Sequence, residues 1–143
     1  LKKFGIKKVM LISMAAWVLR FGLFAYGNPA DGLWMIIVSC IVYGMAFDFF
    51  NISGSLFVET TTDAKTRSSA QGLFMMMTNG FGAVFGSYVS GILITAYFTG
   101  LNGEKDWFNI WISFAGYSFV ILVLFALFFK HKHDKEALKN LQH

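Results

Sequence analysis

Four apolar stretches separated by short polar breaks organise this 143-residue chain. A helix needs about 20 residues to cross hydrocarbon, where every backbone N–H and C=O must be satisfied within the segment. That length predicts membrane spans at about residues 8–26, 33–58, 68–98 and 107–129. Arg20 interrupts the first and Asp48 the second, while the third carries no charge. Tyr26, Trp34, Tyr97, Trp107 and Trp111 flank span ends, where amphipathic rings favour the headgroup level. The segment Asn28-Pro29-Ala30-Asp31-Gly32 has the chemistry of a tight turn. Residues 59–67 and 99–106 form the other two connections. A basic tail, residues 130–143, follows the last span and has a helical pattern from Asp134 to Leu141.

Composition agrees with the pattern. Hydrophobic residues make up 56% and charged residues 14%, with 17 phenylalanines, whereas about 25% charge is usual in soluble domains. A soluble domain this small has too little interior to hide so much apolar surface. The predicted fold class is therefore an all-α integral membrane protein with four transmembrane helices. The formal charge is +4, and ten of the twelve Lys and Arg lie at the termini or in one loop. They are Lys2, Lys3, Lys7, Lys8, Lys65, Arg67, Lys130, Lys132, Lys135 and Lys139. Such placement is a topology signal rather than a nucleic-acid surface. It puts both termini and the 59–67 loop in the cytoplasm, with the 28–32 and 99–106 loops outside. Lys2 to Lys8 followed by Val9 to Leu19 has the outline of a signal peptide. However, the apolar run continues through Arg20 to Tyr26 without a small-residue cleavage site. A piece of a longer membrane protein is the expectation. Cys40 is the single cysteine and can form no internal disulfide.

The informative residues are the polar ones at membrane depth. In the second span Cys40, Gly44, Asp48, Asn51 and Ser55 recur at helical spacing and share a face, with Tyr43 and Phe47 on its flank. Ile36, Ile37, Val42, Phe49 and Leu56 fall on the other faces. An ionisable group inside a span is unfavourable by roughly 3 kcal/mol, so it usually faces a bundle interior or a water-filled path. Such a stripe suits a flat ligand stacked on the rings, with Asp48 and Asn51 on its polar edge. Asp48 is also the candidate for proton coupling, because a carboxylate has two charge states that its surroundings can select. The structural alternative pairs Asp48 with a base such as Arg20. Arg20 itself is expected to snorkel to the outer interface or to pair with an acid.

In the third span Gly82-x-x-x-Gly86 suits close helix packing, and Gln71, Thr78 and Asn79 are candidates for packing or for lining the same cavity. Gly80-Phe81-Gly82 is not a dinucleotide fingerprint, since Phe85 stands where a third glycine is required. His131-Lys132-His133 belongs to a solvated tail. No metal-ligand spacing, nucleophile–base pair or phosphate loop occurs, so neither an enzyme nor a bound cofactor or metal is expected.

Phe4-Gly5-Ile6-Lys7-Lys8-Val9-Met10 resembles the second half of the D-R-x-G-R-K-K loop motif of the major facilitator superfamily. The stretches TTTDAKTRSSAQGLFMMMTNGFGAVFG and YGMAFDFFNISGSLFVE resemble the bacterial nucleoside:proton symporters of that superfamily. The resemblance covers nearly the whole chain and is weakest from Leu93 to Trp107. It implies the C-terminal third of a twelve-helix permease, with these spans as the ninth to twelfth and the tenth against the central cavity. The implied activity is proton-coupled nucleoside uptake across the bacterial inner membrane, driven by the proton gradient. The implied partners are nucleoside, protons, the lipid bilayer and the missing N-terminal helices. By resemblance the substrate contacts are Tyr43, Phe47 and Asp48, to which the helical spacing adds Asn51. Without the first eight spans the chain is not expected to transport by itself, because alternating access needs two halves. A facilitator for a sugar or drug, and a self-contained four-span scaffold or small exporter, are the competing readings.

Overall fold

The computed structural model describes residues 5–28 and 30–130. Pro29 of the first turn, Phe4 of the loop motif, His131 to His133 and the expected tail helix from Asp134 to Leu141 lie outside the described residues. The chain forms four long helices: α1 (Ile6–Tyr26), α2 (Leu33–Thr61), α3 (Arg67–Tyr97) and α4 (Trp107–Phe128). Each is long and apolar enough to cross a membrane. At 1.5 Å per residue α2 and α3 extend for about 43 and 46 Å, more than the roughly 30 Å of hydrocarbon, so both must tilt or project.

Local chemistry ends each helix. Asn28 accepts from the Ala30 N–H through its side chain (3.0 Å) and from the Gly32 N–H through its carbonyl (2.9 Å), reversing the chain before α2. Between α2 and α3 the Asp63 carbonyl accepts from the N–H groups of Thr66 and Arg67. Glu59 and Arg67 form an ion pair across this turn at 3.8 Å. The last connection folds back through a Thr99–Lys105 bridge, and Gly103 takes a φ of 79° that glycine adopts without strain. Asp106 then caps α4, accepting from the Asn109 N–H at 3.2 Å.

The helix α1 is the hub, packing on α2 and on α4. Ile6, Met10, Ser13 and Met14 are buried, and Ile6 and Met10 pack with Phe50, Leu56 and Phe57 of α2 and Phe125 of α4. The α2 surface in this contact is built of small residues. Ser39, Ala46 and Ser53 are fully buried and stand seven residues apart, with Gly54 beside them. Small residues let helices approach closely in a membrane, where dispersion rather than water exclusion holds them together. At one end Lys7 Nζ donates to the Ala126 carbonyl at 2.9 Å, placing a cation on the C-terminal turn of α4. At the other end Tyr26 meets Phe108 edge-on, and Phe24 stacks on Trp111 at 4.9 Å. Thus the start of α1 and the end of α4 share one end of the bundle, together with the end of α2.

By contrast α3 leans away. It touches α2 only through its first turns, and none of its residues is buried. The docking point is Gly54, where an added Cβ would run into the ring of Phe74. Gly54→Ala should therefore be destabilising by about 1–3 kcal/mol, the usual effect of overpacking. Thermal unfolding in detergent should show a lower Tm, with most of the loss restored by adding Phe74→Leu. An unchanged Tm would rule out this contact.

Candidate functional site

The helical repeat orients α2 about its axis. At about 100° per residue the small seam Ser39–Ala46–Ser53 stays within a 40° arc, and Asp48 lies roughly 180° from Ser39. Packing α1 on the seam therefore turns Cys40, Gly44 and Asp48 outward, and all three are exposed. Asn51 and Ser55 are half-buried. From Cys40 to Asp48 the polar stripe is a surface that no described helix covers. Of the apolar residues expected on the other faces, Leu56 packs against α1, whereas Ile37 and Phe49 remain exposed.

The four candidate residues lie on two adjoining turns. The rings of Tyr43 and Phe47 sit 5.9 Å apart, tilted by 43°. Each is 38% exposed, which leaves ring surface free for a ligand. Asn51 Nδ2 donates to the Phe47 carbonyl at 2.8 Å, fixing the amide and leaving its oxygen as an acceptor. Asp48 has no ion-pair or hydrogen-bond partner among the described residues. The pairing with Arg20 does not form. Arg20 instead lies on a ring, its guanidinium carbon 3.8 Å from the centre of the Tyr43 ring.

One feature escaped the sequence. Residues Met76–Phe81 form a π-helical turn inside α3, a wider repeat that is often found at functional sites. Gly82 donates to the Met77 carbonyl, and that oxygen lies 3.0 Å from where a Cβ of residue 82 would be. Gly82 thus fits the bulge of its own helix. Among the described residues it makes no close crossing with another helix, and Gly86 faces open space. Thr78 belongs to the same turn, its hydroxyl donating to the Phe74 carbonyl at 2.8 Å. Asn79 reaches only Met75 Sδ. Gln71, a candidate for packing or for lining the cavity, packs on α2: its Nε2 donates to the Ser55 carbonyl at 2.7 Å. It ties α3 to the inner end of the stripe. An open depression of about 530 Å³, lined by Ser87, Tyr88, Gly91, Ile92, Thr95 and Ala96, lies wholly on α3 and contains no stripe residue. Its walls come from one helix, so it is an uncovered helix face and not an enclosed site.

Four membrane-length helices, one bearing a polar stripe edged by rings, define a multi-pass membrane protein. The chain belongs to the Nucleoside H+ symporter family, whose profile matches residues 1–134. It is 56% identical over 141 residues to the xanthosine permease of Escherichia coli K12, covering 98% of this chain and 33% of that one. To the nucleoside permease NupG of the same strain it is 54% identical over 134 residues, with 93% and 32% covered. The crystal structure of NupG superposes with a TM-score of 0.83 at 53% identity, over 91% of this chain and 32% of NupG. The chain spans about a third of the length of these relatives.

Removing the Gln71 contact tests how firmly α3 is held. Gln71→Leu should lower stability by about 0.5–1.5 kcal/mol, as interhelical hydrogen bonds in membranes are worth roughly 0.6 kcal/mol on average. Urea or thermal titration of the detergent-solubilised protein checks this, and a stabilised Gln71→Leu variant would contradict the assignment.

Proposed function

We propose that this chain is the C-terminal third of a twelve-helix permease that takes up nucleosides with protons across the bacterial inner membrane. On this reading α1 to α4 are the ninth to twelfth helices, and α2 lines the central cavity. The observation that carries it is the stripe itself: the Asp48 carboxylate exposed on the side of α2 away from α1, with the half-buried Asn51 amide beside it and the partly exposed rings of Tyr43 and Phe47 on its flank. A lone carboxylate facing lipid is strongly disfavoured, whereas one facing a hydrated path is not. Family membership and the transporter names of the relatives support the substrate class.

In this mechanism Tyr43 and Phe47 hold the nucleobase against their faces, and Asn51 and Asp48 hydrogen-bond the polar edge or ribose. Asp48 also exchanges the coupled proton as the cavity opens to alternate sides. The energy source is the proton gradient, and the chain acts as a carrier with no cofactor or metal and no enzymatic step. The end of the bundle holding the start of α1, the end of α4 and the 59–67 loop faces the cytoplasm, where its lysines and arginines favour it. The remaining helices of the same permease cover the stripe and α3.

Uptake of labelled uridine by the full-length permease tests the site. Phe47→Ala should weaken apparent affinity roughly tenfold or more, since a base–aromatic stack is worth about 1–3 kcal/mol. Asp48→Asn should abolish proton-driven accumulation. Parental affinity and coupling in both variants would overturn the assignment.

A further inference from the structure

Arg20 is a cation at membrane depth with no carboxylate partner among the described residues, and its Nε is buried without a hydrogen bond. Its neighbours are aromatic faces. The guanidinium carbon lies 3.8 Å from the ring centre of Tyr43, 5.4 Å from that of Phe24 and 5.8 Å from that of Phe21. All fall within the roughly 6 Å over which a ring face attracts a cation, an attraction that strengthens away from water. The two phenylalanines are held from behind by α4: Trp111 stacks on both, and Phe114 meets Phe21 at 6.0 Å. The backbone is tied as well, since the Ser39 hydroxyl of α2 donates to the Arg20 carbonyl at 3.4 Å. A continuous packed path therefore runs from α4 through α1 to one ring of the stripe.

We propose that Arg20 is a positioning residue for substrate: it holds one face of the Tyr43 ring and so presents the other to the nucleobase. This rests on the nucleoside-permease reading above. Tyr43 stands about 40° from the seam on the α2 wheel, between α1 and the stripe. An unrestrained ring there could swing toward either side. The guanidinium, planar and less strongly hydrated than an ammonium, suits stacking on a ring face. Arg20 touches no substrate in this arrangement; it acts through Tyr43.

A double-mutant cycle in the full-length permease tests the inference by initial rates of uridine uptake, separating KM from maximal rate. Arg20→Gln should raise KM roughly three- to tenfold, the equivalent of losing one partly desolvated cation–π contact, with the maximal rate per transporter retained. Arg20→Lys should recover part of the affinity, because charge remains over the ring. Neither change should raise KM further in a Tyr43→Leu background. The two Arg20 variants are run together, so that one failing to fold leaves the other to read. Equal effects of the Arg20 changes in both backgrounds, or an unchanged KM, overturn the assignment while leaving the nucleoside reading intact. A parental permease that takes up no uridine overturns the nucleoside reading, and the inference falls with it.

Discussion

Helices in hydrocarbon are not driven together by water, so α1 and α2 can hold each other only where their backbones come close. The seam Ser39–Ala46–Ser53 supplies that approach, and the remaining arrangement depends on it. With one face of α2 committed to α1, the helical repeat leaves the polar stripe on the far side. The same contact sets the register that brings Arg20 over Tyr43 and Trp17 against Phe50, whose rings lie 5.4 Å apart. Aromatic pairs of this kind contribute about 0.5–1.5 kcal/mol each beyond area burial. Fold and candidate site are thus two faces of one helix.

Part of this was legible in the sequence, for definite reasons. Four membrane-length helices follow from apolar runs, because hydrocarbon demands both length and apolarity. The shared face of Gly44, Asp48 and Asn51 follows from a 3.6-residue period alone. What the stripe faces did not follow, since that depends on which other face α1 occupies. Ser39, Ala46 and Ser53 carry little signal as single residues, and only their spacing of seven gives them away. The Arg20–Tyr43 contact joins two helices and depends on their relative register, which no local pattern encodes. Gly82 was expected at a helix crossing, yet the π-turn in its own helix accounts for it. Phe74 looked like any other phenylalanine of an apolar helix until it closed over Gly54.

The two halves of the chain differ in mechanical character. α1, α2 and α4 are joined by interlocked rings, the Ser39–Arg20 hydrogen bond and the Lys7 contact on the end of α4. α3 is held by its first turns alone, through Gln71, Phe74 and the Glu59–Arg67 pair. An exposed ion pair of that sort contributes little by itself. Beyond it the π-turn interrupts the regular ladder of α3, and α3 and the outer end of the α2 stripe present open faces. The stripe thus sits on the group of α1, α2 and α4, beside a helix held at one end.

The central claim is that the α2 stripe lines a hydrated substrate path. Cys40 offers the most direct test, because it is exposed on that stripe two helical turns, about 12 Å, from Asp48. In a full-length permease with Cys40 as its one reactive thiol, a membrane-impermeant methanethiosulfonate reagent should modify it in intact cells. Saturating uridine should slow the reaction. A Cys40 that stays unreactive until the protein is denatured, in a permease that transports normally, would contradict the account.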